Sequence, residues 1–136
     1  MSPLTSGDRL QRGLAAIVVI CGVGSVAPLL TWVYGLGSFA GWFWLQALPG
    51  LIAIAAIAAW SARPGRRPAL AVAIAAGVLG GVLGTILYDV SRLPFIASGY
   101  RLFAPISSYG LLMLDAGHGD RLTETLGWLY NFANGI

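Results

Sequence analysis

The chain has 136 residues, of which 57% are hydrophobic and only 10% charged, with a net charge of +3. Soluble domains carry about a quarter charged residues, so this composition excludes a globular domain that exposes its surface to water. The length suits a single domain, and the scattered arginines exclude the basic stripe that a nucleic-acid-binding face needs. All eight basic residues are arginine, which with the abundant alanine and glycine points to a GC-rich bacterial coding sequence.

The first predicted span covers 13–34. A bilayer core about 30 Å thick needs roughly 20 apolar residues in a helix, and this run carries no charge. Lipid offers no hydrogen bonds, so the backbone must satisfy itself as a helix. Arg9 and Arg12 precede it, and 1–12 is expected to be cytoplasmic. The basic start and the small residues of "SVA" at 25–27 resemble a leader-cleavage site. The apolar run continues to Tyr34, however, and cleavage would leave Pro28 first, so the segment is read as a retained span. Cys21 lies mid-span with no charged neighbour and is expected to be a small packing residue.

After the uncharged "GLGS", a second span is predicted over 39–62. Pro28 and Pro49 each remove a backbone donor, so both helices are expected to kink. Gln46 is the lone strongly polar side chain of this span and calls for a hydrogen bond across helices. Trp32, Tyr34, Phe39, Trp42, Phe43 and Trp44 cluster around the intervening loop, where an interfacial aromatic belt is expected. Arg63, Arg66 and Arg67 fill the next turn, "SARPGRRP". The positive-inside rule then places this turn and the N-terminus in the cytoplasm, as a multi-pass protein of the bacterial inner membrane.

The third span is predicted over 68–90. Ala73, Gly77, Gly81 and Thr85 recur at four-residue spacing, as do Ala76, Gly80 and Gly84. Lipid tails are as oily as leucine, so membrane helices associate through close backbone approach, which such small-residue faces permit. This face is expected to pack against a helix of the bundle, a second copy or a partner membrane subunit. About 20 residues at 1.5 Å each place the end of the hydrocarbon near Tyr88. Asp89 and Arg92 are therefore expected at the interface as a water-exposed ion pair, with Pro94 ending or bending the helix. The functional alternative is that Asp89, Arg92 and Gln46 form an ion or proton site inside a transporter or channel subunit.

Residues 93–120 are expected to be irregular and interfacial, because Arg101 makes a span there unfavourable. Pro105 would open a short helix, with Gly117 just beyond its end. Asp115, His118 and Asp120 are weak candidates for a shared metal, as in a membrane enzyme. A solvated turn is the preferred reading, with Asp120 capping the next helix.

Residues 121–136 predict a helix with Leu122, Leu126, Leu129, Ala133 and Ile136 along one stripe. From Leu122 on it measures about 22 Å, too short to cross. It is read as the start of a fourth span cut short, in which Tyr130, Asn131 and Asn134 would need polar partners, with an interfacial helix as the alternative. The fold expected is thus an all-α, polytopic transmembrane bundle forming one membrane domain, with lipid as its surroundings. No internal repeat, phosphate loop or nucleophile elbow is present, and no catalytic residue or cofactor is assigned. The function expected is non-enzymatic helix association in the membrane.

Overall fold

The computed structural model describes residues 6–99 and 106–135, and these are helical without strands. The helices are α1 (Ser6–Gly24), α2 (Ala27–Val33), α3 (Phe39–Trp42), α4 (Leu48–Ser61), α5 (Pro68–Ala97), α6 (Ile106–Leu114) and α7 (Arg121–Gly135); a π-helical turn, Phe43–Ala47, joins α3 to α4. Three stretches are long and apolar enough to cross a membrane: Ser6–Val33, Phe39–Ser61 and Pro68–Ala97. Val19, Ile20, Val23, Leu79, Leu83 and Leu87 point outward from them. Lipid solvates such a surface as water cannot, and the chain is membrane-embedded.

Proline sets the two irregularities. Pro28 has no N–H to give the carbonyl one turn back, and the first span breaks at 25–26. The Leu29 N–H turns to the Val26 carbonyl at 3.1 Å, which leaves the Ser25 carbonyl free for a partner from elsewhere. In the second span the chain takes a wider turn ahead of Pro49, and the Leu48 N–H reaches back five residues to the Phe43 carbonyl. Gly50 then lets α4 approach α1 closely: a Cβ there would stand 3.4 Å from the Cys21 side chain. Cys21 is thereby a packing contact. Ile54, Leu70 and Ile74 form one small core between α4 and α5, onto which Leu14 and Val18 of α1 pack.

The third helix differs from expectation. It continues through Pro94 to Ala97, and the Ser98 hydroxyl caps it by donating to the Pro94 carbonyl at 2.8 Å. A proline this close to the helix end leaves few later bonds to disturb. Within 93–120, α6 forms an antiparallel hairpin with α7. The expectations resting on Arg101 and Pro105 fall outside the described residues.

The hairpin closes at two glycines. A Cβ on Gly110 would run into the Thr123 backbone, and one on Gly127 into the Ile106 carbonyl. It lies against the half of the bundle away from the arginine turn. Phe39 and Phe43 do not belong to an interfacial belt: they are 1% and 6% exposed, in a core with Ala47, Met113 and Tyr130. The Tyr130 ring meets those of Phe39, Tyr109 and Phe43 edge-on, at centroid distances of 5.1, 5.4 and 5.8 Å. Trp32, Tyr34, Trp42 and Trp44 are exposed.

Candidate functional site

The chemistry-bearing residues that converge are on α5 and α7. Arg92 Nη2 stands 3.0 Å from Asp89 Oδ1, one helical turn apart. Asn131 Nδ2 of α7 donates to the other carboxylate oxygen, Oδ2, at 2.9 Å. The guanidinium lies 5.5 Å from the centre of the Tyr88 ring. Arg92 is only 7% exposed. The expectation of a water-exposed pair is therefore corrected: counting residues along one helix takes no account of the second helix, α7, that covers Asp89.

Further along α7, Tyr130 donates its hydroxyl to the Ser25 carbonyl at 3.1 Å, using the acceptor that the Pro28 break set free. Ser25 Oγ donates to the Gly22 carbonyl at 2.7 Å and lies 3.5 Å from Asn134 Oδ1. Gly135 meets Thr85 and Gly81 so closely that a Cβ would collide with the threonine hydroxyl. Trp44 Nε1 donates to the Met113 carbonyl at 3.1 Å, serving one of the carbonyls that the last turn of α6 leaves open. Polar groups on α7 thus reach α5 and the break between α1 and α2.

Between α5, α6 and α7 lies an open cleft of about 430 Å³. Its polar wall is Thr85, Tyr88, Tyr109, Asn131 and Asn134, and its floor includes Gly80, Gly81 and Gly84. Gln46 does not join Asp89 and Arg92. It lies against α1, where a Cβ on Gly24 would stand 3.1 Å from its Nε2, and it lines other clefts. The small-residue face of α5 is divided. Gly81 and Thr85 meet α7, whereas Ala73 is exposed and Cβ atoms at Gly77, Gly80 and Gly84 would meet nothing within 4 Å.

Asp115, His118 and Asp120 are all exposed, and among the described residues no three His, Cys, Asp or Glu side chains gather as metal ligands would. Two of them have local structural work. Asp115 takes a left-handed conformation (φ 51°) just past α6, while the Ala116 N–H closes on the Leu111 carbonyl at 3.0 Å, a Schellman ending. Asp120 Oδ1 accepts from the Thr123 N–H at 2.8 Å, and Thr123 Oγ1 accepts from the Asp120 N–H at 2.8 Å, a reciprocal cap of α7. Donation from Thr123 holds the Asp120 carboxyl below its ordinary pKa.

No protein family, curated protein or solved structure matches the chain.

Proposed function

We propose that the protein is a non-catalytic, multi-pass protein of the bacterial inner membrane that associates laterally through the open glycine face of α5. Its counterpart is the same face of a second copy, with a partner subunit's membrane helix as the alternative occupant. The observation that carries this is the empty space over Gly77, Gly80 and Gly84. A glycine turned to lipid gains no packing, whereas a helix laid on such a stripe gains close backbone contact. The N-terminus and the turn holding Arg63, Arg66 and Arg67 are cytoplasmic under this proposal, by the positive-inside rule. In a Cys21→Ala background, Gly80→Cys should form a disulfide-linked dimer on oxidation of native membranes. Gly80→Leu should abolish association while leaving the thermal unfolding of the isolated chain unchanged. A wild-type chain that stays monomeric in native membranes, with no partner cross-linked at position 80, contradicts the proposal.

One observation favours a second reading, in which the protein is a transport subunit: a carboxylate and guanidinium shielded beside a polar cleft, in a helix that crosses the membrane. Intramembrane charges of this kind mark ion and proton pathways. Asp89→Asn would then abolish proton or cation flux into vesicles. Unchanged flux at normal protein level removes this reading.

A further inference from the structure

At the arginine end of the bundle, α1 and α4 part slightly. Leu10, Leu14, Ala56, Ile57 and Trp60 line a groove of about 280 Å³ between them. Every lining side chain is apolar, and the groove runs from the level of Leu10 and Trp60 to that of Leu14 and Ala56, about one helical turn or 6 Å. Above it the charge is one-sided. Arg9 and Arg12 stand on α1 and Arg63, Arg66 and Arg67 in the turn, against Asp8 alone among acids in the first 88 residues. The Arg67 side chain donates to Gln11 at 3.1 Å, which fixes the turn to α1. The Arg66 guanidinium lies 5.2 Å from the centre of the ring of Trp60, itself a lining residue of the groove.

We propose that this is a binding site for an anionic glycerophospholipid. Its headgroup phosphate is held by Arg66 with Arg63, and the upper part of one acyl chain lies in the groove against Trp60. Either half of the site alone would be ordinary in a membrane protein. Their juxtaposition matches an amphiphile with negative charge directly above hydrocarbon, and basic recesses between helices take anionic lipids on this chemistry. A soluble anion would use the arginines and leave the groove empty. A neutral lipid would use the groove and leave the arginines uncompensated.

The test uses the full chain in vesicles of phosphatidylcholine containing a minor fraction of phosphatidylglycerol, with bromine placed on the acyl chains of one lipid or the other. The fluorescence lost between the wild type and Trp60→Phe isolates the Trp60 signal. Brominated phosphatidylglycerol should quench that signal more strongly than brominated phosphatidylcholine at the same mole fraction. Arg66→Gln should lower the preference about fivefold, the share expected of one arginine near a charged surface. Ala56→Phe, which fills the groove and leaves every charge in place, should also remove it. Equal quenching by the two lipids overturns the proposal, as does a preference that survives Ala56→Phe. Native mass spectrometry of the wild type against an equimolar mixture of the two lipids gives a reading that needs no variant: retained phosphatidylglycerol adducts support the site, and equal retention refutes it.

Discussion

Three places in the structure test the local energetics. Ser61 is fully buried at the end of α4, and among the described residues its hydroxyl has no hydrogen-bond partner. A buried polar group without a partner costs stability, so Ser61→Ala should raise stability by about 1 kcal/mol, seen as a higher unfolding temperature in detergent. The Asp89–Arg92 pair works in the opposite sense. Arg92→Gln leaves a shielded carboxylate and should cost about 3 kcal/mol, whereas adding Asp89→Asn should recover most of that loss in a double-mutant cycle. Asp120 sets a pH limit. Its folded pKa lies below the unfolded one, so the cap of α7 contributes fully above the ordinary carboxylate value near 4 and is lost as pH falls through the folded pKa. Helicity of α7 should therefore hold at pH 5 and decline only in stronger acid, and Asp120→Asn should flatten that decline. The residue types of this site were plain in the sequence. Their burial was not, because Asn131 lies 42 positions from Asp89 and no local pattern links them.

At the scale of elements, α7 shows why a leucine stripe alone does not fix which face of a helix is buried. Its leucine stripe suggests a buried face, yet Leu122 and Leu129 are exposed while Thr123, Gly127 and Tyr130 are buried. The small and polar side turns inward, where it finds backbone contact and hydrogen-bond partners. Ile136 lies outside the described residues. The glycine contacts that close the α6–α7 hairpin fall on isolated glycines, Gly110 and Gly127, which have no repeating pattern to announce them. The conspicuous stripe on α5 is mostly open. Leucine at either hairpin glycine should cost about 3 kcal/mol by overpacking and detach α7, read as proteolytic release of the C-terminal segment. Gly80→Leu should leave the same segment protected.

For the whole molecule, the three apolar stretches were legible from length and charge alone, since a bilayer imposes both. The breaks near Pro28 and Pro49 were legible as places; the consequence, a free Ser25 carbonyl taken by Tyr130, depends on a hairpin more than a hundred residues later. The resulting molecule has two unlike ends: an arginine-rich turn joined to α1, and an aromatic and polar half held by the hairpin. If all three apolar stretches cross, the 34–38 loop lies on the other side of the membrane from both the N-terminal segment and the 62–67 turn. Single cysteines at Ser6, Leu36 and Pro64, in a Cys21→Ala background, report this directly through a membrane-impermeant thiol reagent applied to sealed vesicles of known orientation. Labelling of Leu36→Cys from one side, and of Ser6→Cys and Pro64→Cys only from the other, is the predicted result. Labelling of Leu36→Cys and Pro64→Cys from the same side would contradict it.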